Sequence, residues 1–82
     1  MPQSVTVYTS NNCAYCVMVK KYLTMKKVEY TEVNIEEDSA KRDEIVAMTG
    51  AQTVPVTVVE DEGGKQEFSV GYNLPQLSSL IS

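Results

Sequence analysis

Ser4-Val5-Thr6-Val7-Tyr8-Thr9 alternates apolar and polar side chains and is rich in β-branched residues, the pattern of a half-buried strand. After the loop Ser10-Asn11-Asn12 the period switches. From Ala14 or Tyr15 to about Met25, the residues Cys16, Val19, Tyr22 and Leu23 fall on one side at intervals of three and four, which predicts a helix. This switch constrains the fold more than any other feature. A strand that runs directly into a helix reaches its next strand by a crossover, and crossovers of that kind are right-handed and join parallel neighbours.

Val28 to Ile35 is expected to be that second strand, with Val28, Tyr30, Val33 and Ile35 separated by polar or acidic residues. Glu36-Glu37-Asp38-Ser39 then offers N-cap groups and the negative charge suited to a helix start. Ile45, Val46 and Met48 give this second helix an apolar stripe, and Gly50 stops it. Val54 to Glu60 is a third strand, with Pro55 near its beginning, where a missing backbone donor is tolerated. Asp61-Glu62-Gly63-Gly64 turns the chain into a fourth strand, Lys65 to Val70, so the two form an antiparallel hairpin. Asn73 caps a last helix from Leu74 to Ile81, with Pro75 in its first turn and Leu74, Leu77, Leu80 and Ile81 as its buried side. The expected order is β-α-β-α-β-β-α. This is an α/β fold, a four-stranded mixed sheet with helices on both faces.

The chain has 82 residues, enough for one compact domain over 1–82 and too few for two separate cores. Its 43% hydrophobic and 22% charged residues are an ordinary globular balance. No apolar run approaches the roughly 20 residues that span a bilayer, and Met1-Pro2-Gln3-Ser4 carries no charged leader, so a cytoplasmic protein without membrane contact is expected. The net charge of −4 argues against a nucleic-acid binder, which needs a basic face. Charge is nevertheless uneven: Lys20, Lys21, Lys26 and Lys27 follow the cysteines, and acidic runs come at Glu36-Glu37-Asp38 and Glu60-Asp61-Glu62. These runs are solvated faces or, for the lysines, a means of docking an acidic protein partner. Helical geometry sends most of the lysines away from the cysteines, and they are not taken as site residues.

Both cysteines lie within Cys13-Ala14-Tyr15-Cys16, at the junction of the first strand and first helix. A bond between them closes only a tiny loop and restrains the unfolded chain little, so a structural staple is a poor explanation. With no histidine in the chain, Cys-His catalysis and imidazole-ligated zinc are excluded, and two thiols do not complete a structural zinc site. A pair of small buried hydrophobes and a Cu(I) carrier using two soft thiolates remain as alternatives to a redox pair. The thiolate is the nucleophile in disulfide exchange, and a free thiol with a pKa of about 8.5 is mostly protonated at neutral pH. At a helix N-terminus the unpaired N–H groups and the macrodipole favour the anion. Cys13 occupies that position, with the N–H groups near Tyr15 and Cys16 as candidate donors, and Cys16, one turn inward, is expected to be less exposed. Cys13 would then attack a substrate disulfide and Cys16 would resolve the mixed disulfide.

Val5-Thr6-Val7-Tyr8, Cys13-Ala14-Tyr15-Cys16, Val33-Asn34-Ile35, Thr49-Gly50, Thr53-Val54-Pro55 and Gly71-Tyr72 together resemble the glutaredoxin family, including its glutaredoxin-like NrdH-redoxins, over nearly the whole chain. The resemblance implies the thioredoxin fold and a thiol-disulfide oxidoreductase that reduces protein disulfides through a redox-active Cys13–Cys16 pair, without a bound cofactor. It implies a cis Val54–Pro55 bond beside the cysteines and a substrate groove formed by Tyr15, Thr53, Val54, Pro55, Gly71 and Tyr72, with Val54 offering its backbone groups. Its implications for the electron source divide. Tyr15 is similar to the tyrosine of the glutaredoxin C-P-Y-C motif, but Ala14 replaces the proline, and Ser10-Asn11-Asn12 lacks the lysine that glutathione-using members place before the first cysteine. Gly71-Tyr72-Asn73-Leu74-Pro75 instead resembles the segment of NrdH-redoxins, which take electrons from thioredoxin reductase and NADPH and pass them to ribonucleotide reductase. A monomer is the default at this size.

Overall fold

The computed structural model describes residues 4–50 and 54–81. The order is β1 (Ser4–Thr9), α1 (Ala14–Met25), β2 (Thr31–Asn34), α2 (Ser39–Thr49), β3 (Val56–Glu60), β4 (Gln66–Val70) and α3 (Leu74–Ile81). The sheet runs β2-β1-β3-β4. β1 is parallel to β2, with Thr6 opposite Thr31 and Thr9 opposite Asn34. It is antiparallel to β3, with Val7 opposite Thr57 and Tyr8 opposite Val56, and β3 is antiparallel to β4. The crossover through α1 is the one that the change of period demanded.

Pleating assigns the two faces. Val5, Val7 and Val59 point to the side covered by α1 and α3, where they pack with Val19, Leu23 and Leu77. Val56 and Val58 point to the other side, against Ile45 of α2, with Tyr8, Ile35 and Val70 around them. Central β3 is therefore buried on both faces from Val56 to Val59, as a nearly continuous apolar run should be.

Each helix carries its own start or stop signal. Cys13 is the N-cap of α1 in extended conformation. At the other end the Lys27 N–H donates to the Thr24 carbonyl and the Val28 N–H to the Leu23 carbonyl, a Schellman closure with Lys27 at φ 61° where glycine is usual. The Asp38 carboxylate caps α2 by accepting from the Lys41 N–H at 3.1 Å, and Gly50, at φ 72°, ends it. Asn73 Oδ1 accepts from the Gln76 N–H at the start of α3. In the hairpin, Asp61 Oδ1 accepts from the N–H groups of Gly63 and Lys65.

Several expectations need correction, among them β4, which starts at Gln66 and not Lys65, and Met48, which is 38% exposed on α2. β2 covers Thr31–Asn34 and not Val28–Ile35, because Val28 is held by the Schellman closure and pairing with β1 starts only at Thr31; Val28 and Tyr30 still pack against the core. β3 begins at Val56 and not Val54, since Pro55 has no N–H to give to the ladder. Leu74 is 38% exposed at the first turn of α3, and the buried side of that helix rests on Leu77 with Leu80 and Ile81.

Candidate active site

β1 ends at Thr9, and the chain must turn within Ser10-Asn11-Asn12 to start α1. Asn12 makes the turn at φ 56°, a left-handed conformation that asparagine tolerates better than most side chains. The loop is tied to the β2–α2 connection: the Asn11 N–H donates to the Glu36 carboxylate, Asn34 Nδ2 donates to Asn11 Oδ1 at 2.9 Å, and the Glu36 N–H donates to Asn34 Oδ1 at 2.9 Å. Cys13 therefore enters α1 from a loop that Asn11 ties to the β2–α2 connection.

Cys13 and Cys16 are joined as a disulfide. The Cys16 N–H donates to Cys13 Sγ at 3.1 Å, so the sulfur takes the place that an Asp or Ser oxygen usually takes at an N-cap. Cys16 is 2% exposed, whereas Cys13 is only half-buried. The asymmetry expected from the sequence is present.

On one side of the pair, Tyr15 stacks on Tyr72, with ring centroids 6.2 Å apart and planes 15° apart. Tyr72 comes to Tyr15 because the Gly71 N–H donates to the Pro55 carbonyl at 2.7 Å, with Gly71 at φ 79°. The Val54–Pro55 bond is cis, as the resemblance implied. Since Tyr8 pairs with Val56, Pro55 lies at the end of β1 that leads into the cysteines. Five of the six groove residues named from the sequence, Tyr15, Val54, Pro55, Gly71 and Tyr72, thus belong to three segments, the start of α1, Val54-Pro55 and Gly71-Tyr72, that the Tyr15–Tyr72 stack and the Gly71–Pro55 bond connect. The sixth, Thr53, lies outside the described residues.

On the other side is a cleft of about 420 Å³, lined by Thr9, Ser10, Asn12, both cysteines and Lys20 among others. Two of its lining residues, Thr9 and Lys20, are joined through Glu32, a link that the sequence did not reveal. The buried Thr9 hydroxyl donates to Glu32 Oε2 at 2.8 Å, and Lys20 Nζ donates to the same oxygen at 3.0 Å. Lys20 thus lies by the cysteines after all; it is four residues beyond Cys16 and so nearly above it on the helix. Thr9 shares the face of Val5 and Val7, a parity that marked it as inward-facing. Its partner on β2 depended on a strand register that no local pattern supplies.

The Lys20 hydrogen bond, followed by that of Thr9, holds the Glu32 carboxyl below its ordinary value of 4.5, against a smaller opposing effect of burial. Because the folded value is the lower one, its stabilisation is complete above the unfolded value and is lost as pH falls through the folded value. The Glu32 side chain is 39% exposed, so solvent screening keeps the effect below about 1 kcal/mol. In urea titrations at low salt, the advantage of the wild type over Glu32→Gln is expected to be larger at neutral pH than at about pH 3. An equal gap at both would show that the carboxylate does not contribute through its charge.

A mixed four-stranded sheet covered on both faces, with a cysteine pair at the start of the first helix and a cis-proline at the facing strand end, defines a protein of the thioredoxin fold. Among solved structures, the thioredoxin-like protein BC3987 matches with a TM-score of 0.77 and 27% identity, covering 95% of this chain and 100% of that one. The NrdH-redoxin from Escherichia coli matches in fold with a TM-score of 0.79 at 19% identity, covering 96% of each chain. A family model described as Glutaredoxin matches residues 5–63. The glutaredoxin-like protein NrdH of Lactococcus lactis subsp. cremoris is 39% identical over 57 residues, 70% of this chain and 78% of that one. Glutaredoxin 3 of Escherichia coli K12 is 35% identical over 57 residues, 70% and 69% of the two chains. The chain belongs to the glutaredoxin family and is a thiol-disulfide oxidoreductase.

Proposed function

We propose that this chain reduces protein disulfides by dithiol exchange, with Cys13 as the attacking thiolate and Cys16 as the resolving thiol. The observation that carries the reading is the Cys16 N–H aimed at Cys13 Sγ at 3.1 Å, because a donor so placed stabilises negative charge on that sulfur. The Cys13 thiolate attacks one sulfur of the substrate disulfide; a Cys13–substrate bond forms, and the substrate's other sulfur leaves as a thiolate and takes up a proton. Cys16 loses its proton and attacks Cys13 Sγ. The second substrate sulfur then leaves as a thiolate, and two electrons have moved from the protein dithiol to the substrate. Tyr15, Thr53, Val54, Pro55, Gly71 and Tyr72 form the substrate groove, and the Tyr15–Tyr72 stack supplies one wall of it.

Thioredoxin reductase with NADPH recharges the pair in preference to glutathione. Ser10-Asn11-Asn12 lacks the lysine that glutathione-using members place shortly before the first cysteine, and Tyr72 fills the position after Gly71 with an aromatic ring stacked on Tyr15. Ribonucleotide reductase is then a candidate disulfide substrate, and the protein works as a cytoplasmic monomer of one domain that contributes to redox homeostasis. Among the described residues, no helix is long and apolar enough to cross a membrane. The Cu(I)-carrier reading is weaker, since one of its two sulfur ligands, Cys16, is almost fully buried.

The test follows NADPH consumption on a disulfide substrate, once with thioredoxin reductase and once with glutathione plus glutathione reductase. Turnover with thioredoxin reductase and at most a trace with glutathione is expected. Turnover with glutathione alone would make it a glutathione-dependent glutaredoxin. Silence with both would return the question to Cu(I).

A further inference from the structure

α1 has a second apolar stripe besides the one it buries. Cys16, Val19 and Leu23 face the sheet and are buried. Tyr15, Met18, Tyr22 and Met25, spaced by three, four and three, form another row along the flank of the helix. It runs from the disulfide to the last helical residue. Tyr15 is 60% exposed, Met18 41% and Met25 69%, while Tyr22 is half-buried against the core. Exposed apolar side chains are ordinary one at a time, but a row of them that begins at a reacting sulfur calls for explanation.

Charge indicates what the row would meet. At about 100° per residue, Lys21 and Lys26 lie at the two edges of the row, and the whole stripe occupies a sector of roughly 140°. Lys26 Nζ lies 5.8 Å from the Tyr22 ring centroid. The segment from Ala14 to Lys27 contains four of the seven basic residues of the chain and no acidic one, although the chain as a whole carries a net charge of −4. Lys20 differs from the others: its charge is directed to Glu32 on the opposite flank. The acidic runs belong to the β2–α2 connection and the β3–β4 hairpin.

Building on the dithiol-exchange reading above, we propose that this outer ridge of α1 docks an acidic, partly apolar segment of the substrate protein, next to the substrate's disulfide. The methionines and tyrosines give that segment an adaptable apolar track. Lys21 and Lys26 set its charge, which acts mainly on the rate of encounter and on the choice of partner. A basic segment would find the lysines at both edges of the row repulsive, and the remainder of the acidic surface would draw it elsewhere.

The test uses the intact protein, reduced beforehand, mixed in stoichiometric amounts with two disulfide-linked peptides that differ only in Glu-rich or Lys-rich flanks, so that no reductase takes part. The wild type should reduce the Glu-rich peptide about tenfold faster at low salt, with the ratio approaching one at about 0.5 M salt. Lys21→Glu/Lys26→Glu should invert the preference while the melting temperature stays close to wild type, and Met18→Ser should slow both peptides without altering their ratio. An unchanged ratio in the charge-reversed variant would overturn the proposal. So would a charge reversal that leaves both peptide rates unchanged and, in a separate NADPH-coupled assay, slows recharging by thioredoxin reductase, since the ridge would then serve the reductase. If the wild type reduces neither peptide, the dithiol-exchange reading itself has failed.

Discussion

Cys13→Ser is expected to remove disulfide reduction entirely, a fall of about a thousandfold or more, whereas Cys16→Ser should still attack and then stall as a mixed disulfide. The difference arises because the two sulfurs occupy unequal positions. Cys13 Sγ is half-buried and receives the Cys16 N–H at 3.1 Å; Cys16 lies in the first turn of α1 and is 2% exposed, within reach of Cys13 but scarcely of a protein substrate. With a chromogenic disulfide, Cys16→Ser should release one equivalent of thiol in a burst and then turn over only through monothiol exchange with added glutathione, while Cys13→Ser releases none. Mass spectrometry should find the trapped adduct on Cys13. Equal residual turnover in the two variants would overturn the assignment of roles, because neither sulfur would then have the privileged position that the N-cap geometry describes.

That geometry was visible in the sequence wherever it depended on local order. The change of period at residues 10–12 located the junction, and a C-x-x-C at a helix start places the first sulfur at the N-cap and the second one turn inside. What depends on register was less accessible. Lys20 does not stand apart from the other lysines in the sequence because its partner, Glu32, belongs to β2, and Lys20 and Thr9 share that carboxylate oxygen only once β1 and β2 are aligned. The Asn11–Asn34 clasp has the same origin, joining residues 23 positions apart. β2 appeared longer than it is because Val28 and Tyr30 are apolar for the sake of the core and not of the ladder. The cis Val54–Pro55 bond came through the family resemblance; with cis bonds at only about 5% of X-Pro positions, the residues alone would have argued for trans.

Leu23→Ala is the substitution expected to cost most in stability. Leu23 is fully buried, within the cluster formed by Val5, Val7, Val19, Val59 and Leu77, and it anchors the last turn of α1. Truncating a buried leucine costs about 2–5 kcal/mol, a large part of the roughly 4–12 kcal/mol available to a domain of this size. Met25→Ala, two residues further on and 69% exposed, is the internal control and should change stability by less than about 0.5 kcal/mol. Urea midpoints of the oxidised proteins give the comparison directly, and equal losses would mean that α1 is not seated on the sheet by this face. Activity per folded molecule should separate from stability. The bond from the Cys16 N–H to Cys13 Sγ closes within one helical turn, seven residues before Leu23, so Leu23→Ala should keep its single-turnover rate within about twofold wherever it remains folded. A much larger loss would show that the reactivity of Cys13 depends on how the whole helix is seated and not on its first turn alone.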